Sequence, residues 1–120
     1  MLRKLKMGDL GKFIVKKTVA LMTLWMISKK PHTGYEVIKA FSAEGMHAMT
    51  PSRVYPLLAK LEKEGMVSGL AEARGKRKVR IYNITPAGRK NLCIASKLLC
   101  SGMKGRFFRE MLHRKMTAVG

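Results

Sequence analysis

Apolar residues return at helical spacing between residues 10 and 28, where Leu10, Phe13, Ile14, Leu21, Leu24 and Trp25 form one broad face. Asp9 is a helix-capping residue type and Pro31 cannot continue a helix, so the spacing predicts a first helix over residues 10–28. From Thr18 onward Val19, Met22 and Met26 make the opposite side apolar as well. A helix that is apolar all round has to be covered on both sides, which one small core does not readily do. A partner subunit is therefore expected.

Thr33 can cap a second, short helix in which Tyr35, Ile38 and Phe41, with Val37 beside them, form an inward stripe until Gly45 stops it. A tight connection should follow. Thr50-Pro51 is a strong start signal: the hydroxyl can satisfy orphan amides, and proline at the first helical position forfeits no hydrogen bond. The third helix is predicted over residues 51–64, with Val54, Leu57, Leu58 and Leu61 inward and Ser52, Arg53, Tyr55, Ala59, Lys60 and Lys63 outward. Pro56 in its second turn removes a donor and crowds the carbonyl of Ser52, so a kinked or irregular first turn is expected.

Residues 66–73 and 78–84 read as two strands joined by the turn-like segment Arg74-Gly75-Lys76-Arg77. Thr85-Pro86 repeats the cap-then-proline start and opens a last helix through Leu92, Ala95 and Leu99. Met103, Phe107 and Met111 extend its apolar stripe, while Gly102 and Gly105 leave its continuation open. The order is helix, helix, helix, hairpin, helix, with no internal repeat and no long linker. The expected fold is mainly α with a small β-hairpin wing, a winged helix-turn-helix over about residues 10–84, followed by a C-terminal dimerisation helix over about residues 85–115.

A length of 120 residues, 47% of them hydrophobic, suffices for one compact core and hardly for two, so residues 1–120 are read as a single domain. The formal net charge is +18, an excess that repels itself unless something anionic lies nearby. It is also unevenly placed: Asp9, Glu36, Glu44, Glu62, Glu64 and Glu72 precede residue 73, whereas thirteen Lys or Arg between residues 74 and 115 face Glu110 alone. Solvated surfaces usually mix both signs, so the imbalance points to a nucleic acid or an anionic membrane as partner.

The basic N-terminus and the apolar run from Thr18 to Ile27 imitate a secretion signal. No small-residue cleavage site follows, and the run is about half of the roughly 20 residues a membrane span needs. A cytoplasmic protein with no membrane partner is expected. Cys93 and Cys100 lie seven apart on one helical stripe without any CxxC motif, and read as structural thiols or, alternatively, as an intersubunit disulfide or redox sensor.

Two short helices followed by a cationic hairpin suit double-stranded DNA, because a helix fits the major groove while the hairpin reaches the adjacent backbone or minor groove. Ser52 and Arg53, at the start of the third helix beside Thr50, are the candidate base readers, since arginine can donate two bonds to guanine. Lys60 and Lys63 are better placed for phosphates. Tyr55 reads equally as a phosphate contact or as a ring packed under the hairpin. Arg74, Lys76, Arg77 and Lys78 put four cations into five residues around a glycine, for phosphate or minor-groove contact.

These residues carry a resemblance. The string Gly34-Tyr35-Glu36-Val37-Ile38-Lys39, then Pro51-Ser52-Arg53-Val54-Tyr55-Pro56-Leu57-Leu58, Leu61-Glu62-Lys63-Glu64-Gly65-Met66-Val67 and Tyr82-Asn83-Ile84-Thr85-Pro86-Ala87-Gly88-Arg89, resembles the PadR-like transcriptional regulators over about residues 19–92. The closing segment is shared with MarR-like and other winged-helix regulators, whereas the Val-Tyr-Pro-Leu-Leu run is more particular. The resemblance implies a homodimer formed by the first and last helices, binding a palindromic operator, usually as a repressor. It also implies tolerance of proline at position 56. Two departures, Thr33 between His32 and Gly34 and Ile81 at a strand position often aromatic, leave the operator and effector open. Some relatives bind planar aromatic molecules between their dimerisation helices; Trp25 is the candidate residue for such an effector pocket here, a core position being its ordinary reading.

Catalysis is not expected, nor a cofactor or metal: His32, His47 and His113 lie in different segments, and no carboxylate pair has catalytic or metal-ligand spacing. The rival reading is a basic RNA-binding structural protein with a winged-helix fold, gripping folded RNA through Lys104, Arg106, Arg109, Arg114 and Lys115.

Overall fold

Helix α1 (Met7–Lys29) buries Val19, Thr23, Leu24 and Ile27. Thr23 does so without an orphaned hydroxyl, since its Oγ1 donates to the Val19 carbonyl at 2.8 Å. A computed structural model of the chain describes the backbone of residues 7–118, and the side chains of residues 16–107 and 109–111. The helix is already formed at Met7, so Asp9 lies inside its first described turn and is not its cap. The side chains of Leu10, Phe13 and Ile14 lie outside the described residues. The face turned to the core is the one carrying Val19, and Trp25 is 52% exposed rather than a core residue.

Strand β1 (His32–Thr33), only two residues long, gives no periodic signal in the sequence and was not expected. It leads directly into α2 (Gly34–Ala43), for which Thr33 is the N-cap. The Glu36 amide donates to Thr33 Oγ1 at 3.2 Å and the Thr33 amide donates to Glu36 Oε1 at 2.8 Å, a complete capping box. Val37 and Phe41 face the core, whereas Tyr35, expected inward, is 62% exposed with Lys39 Nζ 5.5 Å from its ring centre. The helix closes in a Schellman motif. Gly45, at a φ of +79° that favours glycine, donates to the Ser42 carbonyl and Met46 donates to that of Phe41.

The connection to the next helix occupies residues 44–50 and is longer than the tight turn expected. Helix α3 (Pro51–Lys63) then runs unbroken across Pro56, with Val54, Leu58 and Leu61 buried. Its apolar spacing outweighs the one donor that proline withdraws. Thr50 is the N-cap position but makes no side-chain cap; its hydroxyl bonds the hydroxyl of Ser52 at 3.0 Å instead. The helix ends in a second Schellman motif, where Gly65 donates to Glu62 and Met66 to Leu61.

Strands β2 (Val67–Arg74) and β3 (Arg77–Ile84) pair antiparallel with Arg74 opposite Arg77, so the turn is only Gly75-Lys76. Gly75 has φ of +64° and Lys76 a negative φ, the pattern of a type II′ turn whose twist matches the hairpin. Strand β3 is central in the order β1-β3-β2, with His32 opposite Tyr82 and Thr33 opposite Ile81. Buried Val67 and Tyr82 join the base of this sheet to the helical core.

Thr85 precedes α4 (Pro86–Cys100) and ties it to the start of β2. Its amide donates to the Met66 carbonyl at 3.1 Å, and its hydroxyl accepts from the Gly88 amide at 3.0 Å while donating to the carbonyl of Gly65 at 2.6 Å. Position 88 has to be glycine for this approach: a Cβ there would collide with the Met66 carbonyl oxygen and stand 2.8 Å from Ile84 Cγ1. The last helical region is two helices rather than one. Gly102, with φ of +61°, separates α4 from α5 (Gly102–Ala118). The chain falls into two compact units, one up to Arg89 and the other from Lys90 onward. The first is a winged helix-turn-helix. The second carries exposed Ile94, Leu98, Leu99, Met103, Phe107 and Met111.

Two outcomes follow from these caps. Gly88→Ala should destabilise the chain by about 1–3 kcal/mol through overpacking against backbone, overriding the gain of up to about 1 kcal/mol that alanine brings elsewhere in helices. Urea unfolding measures this, and an equally stable variant contradicts it. The Glu36 carboxyl is held below its ordinary value chiefly by the Thr33 amide. Its contribution is therefore complete above the unfolded carboxylate value, about 4.3, and is lost as pH falls through the lower folded value. Thermal melts across that acid range should show a fall in stability that Glu36→Gln makes shallower.

Candidate nucleic-acid interface

Ser52, Arg53, Tyr55, Lys60 and Lys63 all lie on the solvent side of α3, because the inward positions are taken by Val54, Leu58 and Leu61. Thr50 is exposed just ahead of them. With no side chain capping α3, and with no acidic residue in its first turn, Arg53 and the amide end of the helix present positive potential together. Lys60 and Lys63 occupy the last turn.

The second cluster is the hairpin tip, where Arg74, Lys76, Arg77 and Lys78 are all exposed. Arg74 Nε stands 3.5 Å from Glu72 Oε2, with both side chains about half exposed, so the pair is screened and contributes little. Both clusters belong to the unit that ends at Arg89.

Tyr55 packs against the start of α2. Its ring, 48% exposed, lies across the backbone of Gly34 at the start of α2, where a Cβ would stand 3.0 Å from its Cζ and closer still to Cε1. Gly34 and Tyr55 are thus a packing pair between the two helices of the motif. Nothing in the periodicity of either helix reveals it.

The residues that sequence reasoning missed join α3 to the hairpin. Arg80 on β3 donates from Nε to Glu62 Oε1 at 3.2 Å, and its Nη2 pairs with Glu62 Oε2. The Gly69 amide of β2 donates to the same Oε2 at 3.3 Å. The Arg80 hydrogen bonds hold the Glu62 carboxyl below its ordinary range, and that carboxylate in turn raises the guanidinium value. Beside them, burial pushes the Tyr82 phenol up, so it stays neutral. A cation within the basic half and an acid at helical spacing were visible, but their meeting across eighteen residues was not.

A groove of 770 Å³ lies along α1 and α2, lined by Met22, Trp25, Met26, Lys29, His32 and Phe41 among others. Lys29 Nζ stands 5.6 Å from the Trp25 ring centre. Cys93 and Cys100 are both exposed free thiols rather than core residues. Among the described residues no group of three or more His, Cys, Asp or Glu is placed to hold a metal ion, and no helix is long and apolar enough to cross a membrane.

This fold and this distribution of charge define a winged-helix module. Residues 23–93 match the model of the transcriptional regulator PadR-like family, and the chain belongs to that family. Among solved structures, a protein of Thermoplasma acidophilum described as a transcriptional regulator is 27% identical, with TM-score 0.69 over 87% of this chain and 95% of that one. A PadR-like transcriptional regulator of Bacillus cereus is 25% identical, with TM-score 0.70 over 82% of this chain and 95% of that one. Bacillus subtilis PadR, solved in complex with operator DNA, is 25% identical with TM-score 0.57 over 63% of this chain and 45% of that one. The comparison with curated proteins gave no match.

Proposed function

We propose that this chain is a sequence-specific DNA-binding regulator that acts as a cytoplasmic homodimer, represses transcription from a palindromic operator and performs no catalysis. The observation that carries the reading is the pairing, within one compact unit, of an exposed polar face on α3 with a hairpin whose tip is wholly exposed and cationic. The operator complex of Bacillus subtilis PadR supports it.

In this reading Ser52 and Arg53 meet base edges in the major groove, since arginine offers a bidentate fork to guanine. Thr50, Tyr55, Lys60 and Lys63 meet the backbone, and Arg74, Lys76, Arg77 and Lys78 grip the flanking phosphates or minor groove. Two subunits place their α3 helices in successive major grooves about 34 Å apart, one DNA turn.

Exposed apolar surface supports the homodimer. Exposed Ile94 and Leu98 on α4, exposed Met103 and Phe107 on α5, and the groove beside Trp25 are each the kind of surface that a second copy covers. Residues 1–120 then act as one functional domain, with about residues 85–115 as its dimerisation element. Trp25, at the edge of the groove, is the residue offered to a small aromatic effector.

Selection of duplexes from a random-sequence pool, with the mass of the protein measured in solution, tests the reading. A two-fold symmetric preferred site bound by a dimer is expected. A monomer with no preference among duplexes at physiological salt contradicts it and leaves the basic RNA-binding role as the better account. On the selected site Arg53→Ala should cost about 1–3 kcal/mol and relax one base preference, while Arg77→Ala should weaken all duplexes alike and flatten the salt dependence. Equal losses for Arg53→Ala on selected and random duplex would remove it as a base reader.

A further inference from the structure

The hairpin is anchored at its base and exposed beyond. Val67 is buried in the core, Thr33 pairs with Ile81, and Thr85 fastens the chain just past Ile84. From residue 70 to residue 78, in contrast, every side chain is exposed. The cationic tip therefore hangs on an eight-residue ribbon whose outer half touches no core. A two-stranded ribbon by itself is marginally stable in water, and its direction is set by where it is last held.

That last attachment is Glu62. Its carboxylate takes the Gly69 amide of β2 on one oxygen and the Arg80 guanidinium of β3 on both, so a single side chain of α3 grips both strands just inside the exposed segment. The sequence is adapted to it. A Cβ at position 69 would collide with Arg80 Nε and stand 2.9 Å from Cζ, so glycine there is what lets the arginine cross the ribbon to reach the acid. The Gly69 amide would otherwise point at water, since Gly69 lies on an edge strand of the order β1-β3-β2. The acid sits on the same helix as Ser52 and Arg53, two to three turns farther on. It thus links the angle of the wing directly to the helix proposed to read bases.

We propose that Glu62, with Arg80 and Gly69, is a positioning device that sets the wing against the reading helix and thereby determines discrimination between DNA sequences rather than affinity for DNA. The inference rests on the DNA-binding function proposed above. Its physical content is a trade. Glu62 places a negative charge and a paired guanidinium where an isolated cation would attract any duplex more strongly. The ordered ribbon, in exchange, lets both clusters meet the duplex together only when α3 is in register with its site.

Two measurements on Glu62→Gln test this. Hydrogen exchange in the free protein should show faster amide exchange across residues 69–80 with the α1, α2 and α3 core unchanged. On DNA, affinity for a random-sequence duplex should hold or rise by about 2- to 5-fold, because one repulsive charge is gone, while the ratio between selected site and random duplex falls by about 10-fold. Arg80→Gln should lose the same discrimination without the gain on random duplex. The double variant should discriminate no worse than either single one, as expected for partners in one interaction.

A merely structural role predicts something else: parallel losses on both duplexes together with general loss of protection. That outcome overturns the proposal, as does a Glu62→Gln variant with native wing protection and native discrimination. If the unaltered protein itself shows no preferred site, the DNA reading fails instead. The exchange result still decides whether Glu62 holds the ribbon.

Discussion

One carboxylate holds the working parts of this molecule in register. Glu62 projects from the second-last position of α3 and takes donors from both strands of the hairpin, so helix and wing are one assembly rather than two appendages of a core. In a chain with a formal charge of +18, an acid engaged this way is a structural commitment. It removes one cation from the surface offered to a polyanion and uses it to orient the others. Exposed ion pairs are ordinarily weak, but this one is a fork of several hydrogen bonds just inside the exposed outer part of the ribbon, where small energies set direction.

Around that joint, the backbone termini are closed with little waste. The capping box of Thr33 and Glu36, the two Schellman motifs at Gly45 and Gly65, and the Thr85 hydroxyl between Gly65 and Gly88 each satisfy orphan amides or carbonyls. Position 34 and position 88 are glycine for a different reason, close approach. One seats the Tyr55 ring, and the other admits the Met66 carbonyl. These contacts hold α2, α3 and the sheet so closely that the outward face of α3 is free for another molecule.

Much of this was legible beforehand because period and punctuation are local. Val54, Leu58 and Leu61 fell inward as their spacing required, and Thr33, Gly45 and Gly65 marked real boundaries. What was not legible depends on tertiary partners. Trp25 and Tyr35 look like core residues by type, yet the core of α1 is filled by Val19, Thr23 and Ile27 and that of α2 by Val37 and Phe41. Strand β1 exists only because β3 lies beside it. Thr50 has the chemistry of a cap, but the neighbouring Ser52 hydroxyl competes for it. The outward positions of α3 and the cations of the hairpin tip were readable from local pattern, and they are exposed, whereas the Glu62–Arg80 contact spans two elements that no local pattern connects.

In the complex proposed above, α3 enters the major groove with the hairpin alongside it. Chemical protection of guanine N7 by the bound protein on its selected duplex reports this directly, because that atom lies only in the major groove. Two protected patches about one helical turn apart, with flanking backbone shielded from hydroxyl radicals outside them, are the predicted pattern. Backbone shielding with every N7 left reactive would contradict it.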